Sequence, residues 1–299
     1  MALQGSALSL LAIVLVLTSA FMHAGWNLLS RRQMRPGLFL YRLLIVVSLV
    51  GLAPVAISEG VTRSLPPAAW LYVIASGVCC GVYYYGLSRA YESSDFTVAY
   101  PVVRAVPVLL LAVGDVLLGR HPTAAGWAGL VLVTAGCLLA PLRSFADFAA
   151  ARYWNGSSMW IVLAALGTVG YSILDKLAAE VVRQGPGTAA RYGYIYFVVS
   201  GLTLAAILHG FDRRQLQGAG VGWGWPAAGA VLNFGGYWLV LWAYQMTRRV
   251  SYVIALRQFS IVIGVVLAFA IFREQGRLVR LTGTSLIVTG LTLIVVWGG

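Results

Sequence analysis

The chain has 299 residues, 60% of them hydrophobic and only 10% charged, with a net charge of +12 and a mean hydropathy of +0.84. Soluble domains carry about 25% charged residues, so this composition excludes a water-facing globule and implies an integral membrane protein. The positive charge does not imply nucleic acid, because the basic residues are scattered in ones to threes where loops meet lipid headgroups, with no basic, base-stacking patch.

Ten apolar spans are predicted, at about 7–30, 37–57, 69–88, 96–118, 123–142, 158–175, 190–209, 224–246, 250–272 and 281–297. Runs such as Leu10–Leu17 and Ile261–Phe272 are continuously apolar, which reads as helix rather than as the alternating strands of a membrane β-barrel. The first span lacks preceding positive charge and is too long for a leader, so it reads as a retained helix. The connectors are short, and the longest, roughly 143–155, divides the chain into halves at 1–150 and 151–299.

The third and fourth spans carry Gly81-Val82-Tyr83-Tyr84-Tyr85-Gly86, then Ala90-Tyr91 and Tyr100-Pro101-Val102-Val103-Arg104. The pattern returns as Gly235-Gly236-Tyr237-Trp238, Ala243-Tyr244 and Ala255-Leu256-Arg257. Tyr91 and Tyr244 stand 153 positions apart (244 − 91), as do Arg104 and Arg257 (257 − 104). Gly25-Trp26-Asn27 through Arg31 likewise echoes Gly170-Tyr171-Ser172 through Lys176, and Gly129 with Gly136 echoes Gly283 with Gly290. A repeat of this length means two related halves. With five spans in each, the second half enters the membrane from the opposite side, so the expected fold is all-α: ten transmembrane helices in two inverted five-helix repeats around a central cavity.

Candidate site residues follow from what lipid penalises. An arginine inside an apolar span costs about 2.5–3.5 kcal/mol on insertion scales. Arg104 and Arg257 either meet a substrate carboxylate or reach headgroups through their long stems; Arg42 is a weaker case. Tyr83, Tyr84, Tyr237 and Trp238, with Trp26, Tyr100 and Tyr171, can wall a cavity for a planar apolar substrate, against the alternative of an interfacial belt. His23 and Asn233 are polar groups in apolar spans, either cavity-lining or holding helices together. The nine acids all read as connector or span-end residues, which points to facilitated transport rather than a proton-driven pump and leaves His23 as the deep titrating group. Pro101 and Pro107 suggest a kinked gate in the fourth span, with no proline at the matching positions of the ninth.

The order and duplication of these motifs resemble the drug/metabolite transporter superfamily, EamA-like branch. The features are Trp26 through Arg31 and Tyr171 through Lys176 ending spans one and six, Ala90-Tyr91 with Ala243-Tyr244, and Arg273-Glu274 after span nine. One departure is Gly119-Arg120-His121, which lacks the glutamate of Arg273-Glu274. The aromatic content is most similar to the aromatic amino acid exporters. That resemblance implies an exporter of aromatic or other apolar amino acids with cytoplasmic termini, although the side opposite the termini carries more basic residues.

The expected partners are a small-molecule substrate and the lipid bilayer, in a bacterial inner membrane, with no cofactor, metal, nucleic acid or obligate protein partner. A broader metabolite or drug exporter and a nucleotide-sugar or phosphate-ester carrier remain as alternatives. An intramembrane enzyme is disfavoured, since His23, His121 and His209 fall in different spans without metal spacing. Repeat symmetry without a ring of charge or a carbonyl-lined filter argues against a channel. Cys79, Cys80 and Cys137 read as small apolar fillers.

Overall fold

The computed structural model describes residues 8–31, 33, 35–93, 96–142, 144–147, 158–217, 222–272 and 277–299, without the side chains at 31, 93, 96–102, 147, 268 and 270–272. The side chain of Tyr100, residues Arg273-Glu274 and most of the connector between the halves therefore lie outside the described residues. Helices occupy all the predicted spans: α1 (Leu10–Arg31), α2 (Pro36–Thr62), α3 (Pro67–Ser93), α4 (Phe96–Leu117), α5 (Ala124–Leu139), α6 (Ser158–Val181), α7 (Pro186–Phe211), α8 (Gly224–Tyr244), α9 (Val250–Arg257), α10 (Phe259–Phe272) and α11 (Arg277–Trp297). Among the described residues seven helical segments are long and apolar enough to cross a membrane: five of them lie in α1, α2, α3, α6 and α7, one runs through α9 into α10 as far as Leu267, and one is α11. Ala124–Leu139 is a shorter apolar helix.

Local chemistry sets several ends. Proline opens α2 and α7, where its missing N–H costs nothing. Thr123 caps α5 by accepting from the Gly126 N–H at 3.1 Å. Arg63 ends α2 in the left-handed region at φ 42°. Glu59 then accepts from Ser64 Oγ at 2.6 Å and Leu65 N at 2.8 Å, and pairs with Arg191 of α7 at 3.0 Å.

The helices pack through glycine, since lipid supplies little hydrophobic drive for association and close backbone approach must replace it. In α5 and α11 a Cβ placed at Gly129 would lie 2.6 Å from the Gly290 carbonyl, and one at Gly136 would lie 2.5 Å from the Gly283 carbonyl. Gly236 of α8 sits against Ser19–His23 of α1 while Gly25 of α1 meets Leu232, so these two helices are antiparallel. Gly167 and Gly170 of α6 face Tyr83 and Cys79 of α3 in the same sense. Gly77 and Gly81 bring α3 against Tyr196–Thr203 of α7.

Two features depart from the expected spans. The sixth span does not end at 175: α6 continues to Val181 and carries Asp175 inside the bundle. The ninth is broken at Gln258 without a proline, while α4, which contains Pro101 and Pro107, is assigned as one helix. At the break Ile261 N–H bonds the Gln258 carbonyl at 2.8 Å, which frees the carbonyl of Arg257 from its usual helical partner.

Candidate functional site

The freed carbonyl leads to the polar centre of the molecule. Arg104 of α4 donates through Nη2 to the Arg257 carbonyl at 3.1 Å and to Ser260 Oγ at 2.7 Å. Its other terminal nitrogen, Nη1, lies against His23 Nε2 of α1. Arg257 is only 7% exposed, and its Nη2 approaches His23 Nδ1 at 3.3 Å. His23 Nδ1 also accepts from the indole N–H of Trp26 at 3.1 Å. A neutral imidazole has one accepting nitrogen. Both ring nitrogens of His23 therefore face N–H donors, from Trp26, Arg257 and Arg104, more than one neutral ring can accept. Arg257 Nε has no hydrogen-bond partner among the described residues. The cavity here is lined by His23, Tyr83, Arg104, Tyr171, Arg257 and Gln258, with Thr168 and apolar side chains between them. An acceptor bearing negative charge fits such a set of donors.

Of the aromatic rings, Tyr83 and Tyr171 line the cavity, and Tyr196 and Tyr237 pack against Tyr171 outside the lining. Tyr171 meets Tyr83 at 5.7 Å, Tyr196 at 6.1 Å and Tyr237 at 5.7 Å, each edge-on. Tyr237 stacks on Tyr196 at 4.9 Å, and the Arg257 guanidinium lies 5.4 Å from the centre of the Tyr237 ring. The guanidinium is thereby held over a π face, a cation–π contact that satisfies its charge without consuming its N–H groups.

Behind these rings is a group the sequence reading placed at a span end. Asp175 is 1% exposed. Its Oδ1 accepts from Ser76 Oγ of α3 at 2.5 Å and Tyr192 OH of α7 at 2.8 Å, and its Oδ2 accepts from Tyr237 OH of α8. The expectation of an interior without acids is thus corrected: three hydroxyls from three other helices replace the water that a carboxylate otherwise needs. The signal was in the sequence, since one polar pair, Asp175-Lys176, does not end a helix whose apolar residues resume at Leu177-Ala178-Ala179.

The remaining candidates divide between the cavity edge and the packing. Trp26, 2% exposed, touches the cavity through its bond to His23 and meets Tyr84 edge-on at 6.5 Å. Tyr84 OH accepts from Asn233 Nδ2 at 2.7 Å, joining α3 to α8. Trp238 lies apart from the cavity, because its indole N–H is used by the Pro186 carbonyl at 2.8 Å where α7 begins. Arg42 reaches the Trp223 ring at 5.1 Å, away from the cavity. Thr168, Ser260, Ser76, Tyr192 and Tyr196 were not singled out from the sequence, whereas Gln258, which follows Arg257 as a polar residue in an apolar span, is in the cavity lining. As isolated polar or aromatic residues the former have no signature until the fold gathers them.

Charged side chains also tie helices together away from the cavity. Asp115 of α4, fully buried, accepts from Val250 N at 3.0 Å, Ser251 N at 2.9 Å and Ser251 Oγ at 2.6 Å, capping the N-terminus of α9 from another helix. Lys176 bonds the Tyr244 carbonyl and Glu180 Oε1, each at 3.0 Å, and Arg120 holds Glu180 Oε2 at 2.7 Å. No group of three or more potential metal ligands occurs among the described residues.

A multi-pass bundle of apolar helices with charged and aromatic groups gathered inside it is an integral membrane protein. Residues 10–141 match the EamA-like transporter family, so the first half of the chain carries an EamA-like domain. A solved structure described only as "Crystal structure of protein" is similar over 96% of this chain and 98% of its own, with a TM-score of 0.69 and 18% identity, a likeness of fold alone. No curated protein matches the chain.

Proposed function

We propose that the chain is a transporter of the drug/metabolite type, built as ten transmembrane helices in two inverted five-helix repeats, which exports amino acids, aromatic or apolar ones, from a bacterial cell by alternating access. The observation that carries this reading is the convergence of Arg104, Arg257 and His23 on one cavity that Tyr83 and Tyr171 also line. The cations suit a carboxylate and the rings suit a planar or apolar side chain.

The inverted repeat is supported by the way the helices pair. Antiparallel α1 and α8 correspond to antiparallel α6 and α3 under exchange of the halves, and α5 with α11 is a pair that maps onto itself. Tyr91 OH contacts Asn27 Oδ1 at 3.5 Å, and their repeat counterparts are Tyr244 and Ser172. The EamA-like match of the first half supports the transporter class. A facilitative mechanism loses its ground, because it rested on an interior without acids and Asp175 is buried there.

Uptake of radiolabelled phenylalanine into liposomes containing the purified protein tests the proposal. Loss of Arg257 removes charge-assisted hydrogen bonds of about 1.5–3 kcal/mol, so Arg257→Gln is expected to weaken apparent affinity roughly 10- to 150-fold. Uptake of phosphate esters but no amino acid would instead favour the organophosphate carrier that paired arginines also suit.

A further inference from the structure

Asp175 sits outside the cavity lining yet is joined to it twice. Tyr237 donates to Asp175 Oδ2 and carries the Arg257 guanidinium on its ring face. Tyr171 lines the cavity, and its backbone carbonyl is a second acceptor for the Ser76 hydroxyl, 3.4 Å away. Ser76 therefore has two acceptors and one proton. When it donates to Asp175 Oδ1, the site holds an ionised carboxylate with three hydroxyl donors. When it rotates to the Tyr171 carbonyl, its oxygen becomes an acceptor, and a proton placed on Oδ1 can be donated to it. One hydroxyl rotation accommodates both protonation states with no backbone movement.

The surroundings decide which charges the carboxylate feels. From α3 it faces Cys79 and Cys80, from α7 Tyr192 and Tyr196, and from α8 Tyr237 and Tyr244. Tyr171 lies one turn before it on its own helix, and Arg257 is the cation acting on it from α9. The anion pocket therefore has two guanidinium groups in front and one carboxylate behind. Adding a proton to Asp175 removes the negative charge that competes for Arg257.

We propose that Asp175 is a proton-binding site coupled to the cavity, so that a proton on its carboxylate and a substrate carboxylate between Arg104 and Arg257 favour each other's binding. The proton enters as an O–H bond on Oδ1 and leaves by the same route, and the Ser76 O–H bond is retained throughout. Linkage makes the effect reciprocal. The coupling rests on the transporter reading given above; the proton site does not.

Infrared spectroscopy of the reconstituted protein without substrate tests the site. The carbonyl stretch of a protonated buried carboxyl is expected to grow in as pH falls and to be missing in Asp175→Asn. Identical spectra for the two proteins across the titration would overturn the proposal. Should Asp175→Asn fail to fold, Ser76→Ala removes the acceptor of the protonated form and is expected to shift the frequency of that band; an unmoved band also overturns it.

The coupling is read by equilibrium binding of radiolabelled phenylalanine at acid and at neutral pH. The wild type is expected to bind about five-fold or more tightly at acid pH, with the dependence lost in Asp175→Asn. A dependence that survives in Asp175→Asn would move it to His23 and refute the coupling. Absence of phenylalanine binding at any pH would refute the substrate assignment, and the coupling that rests on it, while the infrared result still decides the proton site.

Discussion

Replacing Asp115 with alanine offers a direct energetic test of how the second half is held. The carboxylate is fully buried and accepts the backbone N–H groups of Val250 and Ser251 together with the Ser251 hydroxyl. The two N–H groups belong to the start of α9, where a helix has no acceptors of its own. In Asp115→Ala both lose their partner inside the protein. A buried donor left unsatisfied costs about 1–3 kcal/mol, so the pair costs about 2–6 kcal/mol. At roughly 2 °C per kcal/mol for a chain larger than a small domain, the melting temperature should fall by about 4–12 °C.

Asp115→Asn keeps one accepting oxygen but turns an amide N–H toward a backbone N–H, and should fall between wild type and Asp115→Ala. The assay is thermal unfolding in detergent followed with a thiol-reactive fluorophore, for which buried Cys80 and Cys137 are reporters. An Asp115→Ala protein that melts together with the wild type would show that the carboxylate is not what satisfies α9, and the reasoning would fail.

Two further outcomes are expected. Gly290→Ala places a Cβ 2.5 Å from the Gly129 carbonyl; prying α5 from α11 should cost about 1–3 kcal/mol, whereas Gly60→Ala, with nothing within 4 Å, should melt as wild type does. Trp238→Phe gives up only the bond to the Pro186 carbonyl, so phenylalanine uptake should keep its KM, while Tyr171→Ala, which opens the cavity wall, should raise it; equal effects on KM would place Trp238 in the substrate path after all.

The matched arginines are legible in the sequence. Arg104 and Arg257 were singled out because lipid penalises a buried guanidinium and the repeat presents the same exception twice, and the two do meet, side chain to backbone. Asp175 is legible as an interior group only from the apolar residues that resume after it, because a window of hydropathy ends at the first cluster of charge. What keeps α6 helical past that cluster lies on other elements: hydroxyls on α3, α7 and α8 for Asp175, and the Tyr244 carbonyl for Lys176.

The break at Gln258 was hidden for a related reason. Nothing at 258 forbids a helix, and the alternative is stabilised by a donor on α4 that no local pattern reveals. Trp238 was misplaced because its position along α8 is central, while the start of α7 beside it supplies an acceptor for its N–H.

The bond from Arg104 to the Arg257 carbonyl spans 153 residues of chain, and that separation has a consequence for biogenesis. The ribosome delivers the arginine long before the carbonyl it covers exists. Throughout that interval the guanidinium must be kept by water, headgroups or its contact with His23, since in bare hydrocarbon it costs about 2.5–3.5 kcal/mol. The first five helices therefore enter the membrane carrying an unspent donor, and the broken helix that arrives later finds its cap already in place. The second half made alone would have to close its own gap at Gln258, so the two halves are partners in assembly.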